Sequence, residues 1–471
     1  MNFDNTFATL PRAFHAAVTP DPVSEPTLLA WNQPLADSLG LGKLGQDSAQ
    51  LARWFGGTDA LPGSEPIAMA YAGHQFGHFV PQLGDGRAAL LGEVVTAAGD
   101  RFDIQLKGSG RTPFSRGGDG KSWLGPVLRE YVLSEAMHHL GVPTTRALAA
   151  VATGDTVLRE SALPGGVFTR VAASHLRVGT FQYFAVRGDV SSLKTLADYA
   201  IARHYPAAAD DSAPYVSLLE AVAQRQSELI ARWMAVGFVH GVMNTDNTAL
   251  SGETIDYGPA AFLDEFRFDK VFSSIDSYGR YAYASQPDMA QWNLARLAEA
   301  LLSLGAEKSA LEAVLEAFPE DYAARYLALM GPKLGLQDVH EDDTDLLAQW
   351  LHYLNDHGSD YTLSFRDLAD RVDADDESRF GPFETRWRAR VHRQGKSTDE
   401  IVSSMNAVNP VFIPRNHRVE QAITAALDGD YGIFEDLNEV LARPFDEQPA
   451  FADYASAPEP RERVTRTFCG T

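Results

Sequence analysis

His240-Gly241-Val242-Met243-Asn244-Thr245-Asp246-Asn247, followed by Asp256-Tyr257-Gly258, is the stretch on which the reading of this chain turns. The amide oxygen of Asn247 and the carboxylate of Asp256 are hard donors of the kind a Mg²⁺ ion takes, with phosphate oxygens and water filling the other positions. Mn²⁺ would accept the same pair. Residues 250–254 between them read as a short hairpin that would return the chain and bring the two donors to one ion. Asp246 adds a further carboxylate next to Asn247. The plain alternative is a polar loop at the end of a helix, because residues 215–236 directly before it form a long amphipathic segment.

Upstream, residues 66–185 read as strand-rich, with one helix. Ala88–Val95 is mostly apolar, a turn follows at 98–100, and Arg101–Lys107 alternates cleanly. Phe102, Ile104 and Leu106 share one face of that second strand, while Asp103, Gln105 and Lys107 share the other. Further short strands are expected at 156–159 and 167–171. The helix lies between Pro126 and Gly141, and Leu128, Val132, Ala136 and Leu140 give it an apolar line at spacing four. Glu130 falls inside it. A strand lysine paired with a helix glutamate is the ion pair that holds ATP phosphates in kinase-type sites, so Lys107 and Glu130 are expected to meet. A solvated lysine and a surface glutamate are the bland reading of the same residues. Protein kinases also carry His, then Asp at +2 and Asn at +7, and later Asp-Phe-Gly. Asn247 stands at +7 from His240 and Asp256-Tyr257-Gly258 replaces the last motif, but the +2 position is Val242.

Glycine supplies the next signals. Gly84-Asp85-Gly86-Arg87 opens the first of the two strands, either as a tight turn or as a place where backbone comes close to a phosphate, with the planar fork of Arg87 at hand. Residues 108–120 read GSGRTPFSRGGDG, which has no core-forming pattern and suits a lid or a phosphate-facing loop, with Asp119 and Gly120 at its end. Arg170 and Arg177 follow, and arginines near such a loop in an acidic chain suit a polyphosphate as well as they suit a solvated surface. His74 and His78 stand four apart in Tyr71-Ala72-Gly73-His74-Gln75-Phe76-Gly77-His78. A zinc helix would want glutamate at the second position, so a structural loop is the expectation.

The chain has 471 residues, 63 acidic against 40 basic side chains, and a formal net charge of −23. With 45% hydrophobic and 22% charged residues it can build a large core, which excludes global disorder. Its acidity argues against nucleic acid as a main partner. No apolar run is long enough for a membrane span, and the first residues lack a secretory pattern, so a cytoplasmic location is expected. The single cysteine, Cys469, excludes an internal disulfide and a cysteine zinc site. After a polar linker at 206–214 the chain turns helical, with segments at 289–304, 308–318, 346–354 and 419–427, and the last 30 residues read as a loosely ordered tail.

Taken together, YAGHQFGHFVPQLGDGR, QLKGSGRTPFSRGGDG, LREY, HGVMNTDN and DYGP resemble the SelO family (selenoprotein O, also called YdiU) of pseudokinase-like protein adenylyltransferases. The motifs run from Tyr71 to Pro259, and the similarity extends along the whole chain. The resemblance implies an α+β, bilobal protein-kinase-like fold: an N-terminal extension at 1–65, a small lobe at 66–190, a helical large lobe at 191–430 and a C-terminal tail at 431–471. It implies ATP bound in reverse, transfer of AMP to Ser, Thr or Tyr hydroxyls of acceptor proteins, and pyrophosphate as the leaving group. By the same resemblance Gly84, Gly86, Arg87, Lys107, Asp119, Gly120, Arg170, Arg177 and Asp256 would contact the nucleotide. Glu130 would orient Lys107, Asp246 would accept the proton, and Asn247 and Asp256 would hold Mg²⁺. Family members often carry a cysteine or selenocysteine near the C-terminus, paired in some with a cysteine after DYGP. Cys469 fits the first position, but Phe272 and Ser273 stand in the region of the second, so an internal redox latch is not expected.

The residues alone leave other classes open: γ-phosphoryl transfer, a catalytically inactive ATP-binding module, or transfer of another nucleotide such as UMP. Val242 weighs against the kinase, and the joint presence of Lys107, Glu130, Asn247 and Asp256 weighs against an inert binder.

Overall fold

A computed structural model describes residues 3–376 and 378–468; Cys469 lies outside them. Along the chain come β1 (His15–Ala17), β2 (Thr27–Trp31), α1 (Gln33–Ser38), α2 (Ser48–Phe55), β3 (Ile67–Met69), β4 (Gly73–Gln75), β5 (His78–Val80), β6 (Ala88–Val95), β7 (Arg101–Lys107), β8 (Ser122–Trp123), α3 (Leu124–His139), β9 (Arg146–Leu158) and β10 (Ala162–Ala172). The helical part follows with α4 (Val178–Ala185), α5 (Val190–His204), α6 (Pro214–Val236), the small strands β11 (Phe238–Val239) and β12 (Ala261–Phe262), α7 (Gln286–Leu302), α8 (Lys308–Lys333), α9 (Asp343–His357), α10 (Tyr361–Ala369), α11 (Pro382–His392), α12 (Thr398–Val408), α13 (Asn416–Leu427), α14 (Gly432–Leu441) and α15 (Ala452–Ala455). The architecture is mixed α/β: a β-rich first part and a helical second part. Among the described residues no helix is long and apolar enough to cross a membrane.

The main sheet is antiparallel, in the order β1-β3-β6-β7-β10-β9-β2, with β8 beside β10. Both of its faces are covered, which is why alternation in β7 leads to burial on either side. Ile104, Leu106, Val151, Val167 and Val171 pack under Leu35, Leu51 and Phe55 of α1 and α2. On the opposite face Leu90, Ala150 and Phe168 pack under Leu124, Val127, Leu128 and Val132 of α3. Residues 1–65 are therefore not an appendage. They supply β1 and β2, one at each end of the strand order, and the helices that close one face. Residues 18–26 connect those two end strands and bond to what they pass, with Val18 N–H donating to Pro66 O, Asp21 N–H to Ser109 O and Glu25 N–H to Thr153 O. Short strands of mixed composition gave no periodic signal for this arrangement. The pair expected at 156–159 and 167–171 is a much longer hairpin, because the alanine-rich start of β9 has weak strand propensity yet pairs with both β2 and β10.

The helices expected downstream are present with wider bounds, and α8 continues through Pro319 to Lys333. Helix α6 buries Leu218, Leu219, Val222, Leu229 and Ile230 against α7 and α8, and ends at Gly237, whose φ of +72° is the left-handed conformation that terminates helices. Between 432 and 468 the chain is built into the fold rather than left as a loose tail. Helix α14 packs on α3 through Phe434 and Tyr131, whose ring centroids lie 5.6 Å apart. Farther on, buried Thr467 donates its N–H to Phe272 O at 2.8 Å and its hydroxyl to Pro259 O at 2.5 Å.

Candidate active site

The end of β7, the middle of α3 and the last third of β10 meet on the α3 side of the sheet, because Arg170 pairs with Gln105 and Phe168 with Lys107 in the strand register. Lys107 Nζ lies 2.6 Å from Glu130 Oε2 and also bonds Asp256. Arg170 bonds Glu130 through Nε at 2.9 Å and reaches Asp256 Oδ1 at 3.3 Å. Two cations and two carboxylates thus alternate around one small space. Glu130 and Arg170 are buried, whereas a quarter of the Asp256 side chain is exposed, so the cluster opens at Asp256. Burial opposes ionisation of Asp256, but the charges of Lys107, Arg170, Arg87 and Arg177 outweigh it and hold the carboxyl well below its usual range. Asp256 also takes φ +72°, a conformation costly for a non-glycine residue and characteristic of functional positions.

Asp246 sits in a 3₁₀ turn, Thr245–Asn247, beside this cluster. Its Oδ2 accepts from Gln75 Nε2 at 3.3 Å, while its buried Oδ1 has no hydrogen-bond partner among the described residues. Burial pushes its carboxyl up to about 6, against the Arg177 charge. Arg177 donates to Asp246 O at 2.8 Å, lies over the Tyr71 ring at 4.6 Å and stands 3.9 Å from Asp85. Asn247 commits its amide nitrogen to Val242 O at 3.1 Å, which leaves the amide oxygen as the atom available to a ligand. An ionised carboxylate and a free amide oxygen form a donor set that fits a hard divalent ion such as Mg²⁺. His240 acts structurally: its Nε2 bonds Ile255 O at 2.9 Å, fixing the residue before Asp256.

Residues 250–254 are not a hairpin. Ala249 bridges to Arg177 and Thr254 to Thr144, so the segment is a turn stitched to two distant elements. The glycine-rich loop 108–120 folds over the Gly84–Arg87 turn, where Thr112 Oγ1 donates to Asp85 O at 2.6 Å and Ser115 Oγ to Gly86 O at 2.5 Å. A Cβ on Gly86 would stand 2.8 Å from Phe114 O, so glycine is required for that closeness. Arg87 acts on Asp256 through its charge without an ion pair of its own among the described residues. Asp119 and Gly120 are not drawn into the cluster; Asp119 pairs with Arg159 at 2.8 Å, which lowers its carboxyl.

The hairpin β4–β5 contributes what local sequence did not reveal. It docks on the 244–247 turn, with His74 N–H donating to Thr245 Oγ1 at 2.7 Å and Phe76 N–H to Asn244 Oδ1 at 3.0 Å. A Cβ on Gly73 would stand 2.5 Å from Asp246 Oδ1, so this glycine lets the hairpin approach the carboxylate. His74 pairs with Phe79 and Gln75 with His78, so the two histidines face opposite sides of the hairpin and do not converge on a metal. Among the described residues no group of three His, Cys, Asp or Glu is placed to hold one. A cavity of about 300 Å³ among α6, α7 and α8, lined by Met234, Gln291 and Phe318, shares no residue with the cluster.

The family model described as "Protein adenylyltransferase SelO" matches residues 1–442. A protein of Nitrobacter winogradskyi named protein nucleotidyltransferase YdiU is 55% identical over 485 residues, covering 100% of this chain and 96% of that relative. Proteins of the same name from Rhizobium meliloti and Agrobacterium fabrum are also 55% identical and cover 100% of this chain, with 99% and 100% of their own lengths matched.

Proposed function

The chain belongs to the SelO family of protein adenylyltransferases, and from that premise we propose that it transfers AMP from ATP to Ser, Thr or Tyr hydroxyls of other proteins and releases pyrophosphate. One observation carries the reading: the Lys107–Glu130–Arg170–Asp256 cluster stands beside a buried Asp246 with an unpartnered carboxylate oxygen, while Val242 occupies the position of a kinase base. We read residues 66–190 with the N-terminal extension 1–65 as the small lobe of a protein-kinase-like fold, 191–430 as its large lobe, and 431–471 as a C-terminal tail.

In this reading the acceptor oxygen attacks the α-phosphorus and forms the new P–O bond. The bond from the α-phosphorus to the bridging oxygen breaks, and pyrophosphate carries the electron pair away. Asp246 accepts the hydroxyl proton at Oδ1; desolvation has already raised its proton affinity, which suits a base working near neutral pH. Lys107, held by Glu130, and the buried Arg170 and Arg177 neutralise the triphosphate as charge moves onto the leaving group. Gly84, Gly86 and Arg87, with Asp119 and Gly120 at the far end of the loop, line the nucleotide. Asn247 and Asp256 would hold Mg²⁺ or Mn²⁺, which would supply further neutralisation of phosphate charge.

Parallel incubations of an acceptor protein with α-labelled and γ-labelled ATP test the proposal. Label is expected from the α position alone and should fall on the order of 10²–10⁴-fold in Asp246→Asn. Label from the γ position alone would make the protein a kinase. The relatives' name does not specify the base, so α-labelled UTP belongs in the same assay; faster labelling from UTP would move the reading to UMP transfer.

A further inference from the structure

The tip of the β4–β5 hairpin leads from the proposed base to a cationic surface that the transfer chemistry does not use. Gln75 bonds Asp246, and the next two residues form the turn, Phe76 at φ +50° and Gly77 at φ +84°. The strained Phe76 is held by its N–H bond to Asn244 and by its ring, 5.1 Å from that of Tyr281. Tyr281 OH in turn donates to Asn244 Oδ1 at 2.8 Å. Immediately beyond, Arg280 lies against the open side of Gly77: a Cβ placed on that glycine would be 3.6 Å from its guanidinium carbon.

Arg280 is half-buried and sits 4.7 Å over the Trp292 ring, which also carries Arg296 at 4.8 Å. Arg296 is matched by Glu299 at 2.8 Å. Arg280 is not: among the described residues no carboxylate lies within 4 Å of its side-chain nitrogens, while its Nε, like that of Arg296, is buried without a hydrogen-bond partner. Asp276, four residues earlier, is spent on the backbone N–H groups of Arg280 and Tyr281. The same loop presents Tyr278 at 99% and Ile275 at 63% exposure, side chains that offer apolar contact to an incoming chain.

We propose that Arg280, seated on Trp292 beside the hairpin tip, is the subsite that receives a carboxylate of the acceptor protein, a few residues from the hydroxyl that takes the nucleotide. This deepens the AMP-transfer reading and rests on it. The chemistry favours a carboxylate because a guanidinium with no carboxylate of its own offers its remaining N–H groups to an anion, and a carboxylate is the side-chain anion an acceptor protein supplies. The spacing fits as well. The two turn residues separate the Asp246 contact from Arg280, and an extended acceptor advances about 3.3–3.6 Å per residue, so one bound chain can reach both.

The test uses the full-length protein with ATP and Mg²⁺, and two versions of one serine-containing peptide that differ in having Glu or Gln at the positions flanking the serine. Incorporation of α-label gives kcat/KM for each. The parent is expected to prefer the Glu peptide about tenfold, equivalent to about 1.4 kcal/mol. Arg280→Gln should bring that ratio close to one, Arg280→Lys should keep part of it, and Arg280→Glu should favour a Lys-flanked version. Because each ratio is taken within one protein preparation, a general loss of folded enzyme cancels. Equal rates on both peptides in the parent, or a ratio unchanged by Arg280→Gln, would overturn the subsite while leaving AMP transfer intact. Labelling of neither peptide from α-labelled ATP, with γ-label incorporated instead, would remove the transfer reading and this subsite together.

Discussion

Taking away the Lys107 ammonium leaves Glu130 and Asp256 with Arg170 between them. Arg170 bonds both carboxylates, so the loss does not strand an uncompensated buried charge. The expected outcome for Lys107→Ala is a fall in nucleotide transfer of at least about 10²-fold. The unfolding free energy should drop by less than the roughly 3–5 kcal/mol typical of a broken buried pair. Label incorporation and a denaturant titration on the same sample measure the two effects, and full activity in the folded variant would remove Lys107 from the mechanism. The Lys107–Glu130 contact was legible in the sequence because strand alternation and the spacing-four apolar line of the helix each fix a side-chain direction. Gln75 was not legible. Its partner lies 171 residues away, and nothing in the HQFGH stretch announces a carboxylate.

At the level of elements, regular patterns were readable and stitched turns were not. Strands β6 and β7 and helices α3 and α6 carry periodicity, and it led to them. Helix α3 exceeded the expectation, burying Arg129 under α13, where it bonds Glu420, and Glu130 and Glu135 against Lys107, Arg170 and Arg146 of the sheet. The 250–254 turn gave no such pattern, since its conformation comes from Arg177 and Thr144. Glu253 in that turn accepts from Ala173 N–H at 3.0 Å and from Ser251 Oγ at 2.7 Å. Burial raises its carboxyl from 4.5 to about 7, against those two hydrogen bonds. A carboxyl raised on folding binds its proton more tightly in the native state, so its contribution is complete below about pH 4.5 and is lost as pH climbs through 7. Glu253→Gln removes the titration. Its stability relative to the parent should therefore rise by on the order of 1 kcal/mol between pH 5 and pH 8, read from melting curves at both pH values. A difference that does not change with pH would show that Glu253 is ionised throughout.

Over the whole molecule, charge and composition indicated a large acidic globular enzyme, and the order of a β-rich part before a helical part was legible. What stayed hidden was how the ends of the chain are used: residues 1–65 complete the sheet, and Thr467 locks onto Phe272 and Pro259 near the site. Both depend on contacts between segments far apart in sequence, which no local pattern records.

Residues 18–26 set a limit on length. Seven strands side by side span about 29 Å at the usual spacing of about 4.8 Å, and the ten peptide steps from Ala17 to Thr27 reach at most about 33–36 Å when drawn taut. With Pro20, Pro22 and Pro26 among them, these residues form a segment with little length to spare for a crossing of that width. Shortening it by three residues would cut the reach to about 23–25 Å and force the sheet to curl more tightly or give up an edge strand. Adding three glycine or serine residues would cost only tenths of a kcal/mol in closure entropy. Melting temperatures of the two variants should therefore diverge, with a large fall on deletion and little change on insertion. Equal effects would mean that the segment carries no tension.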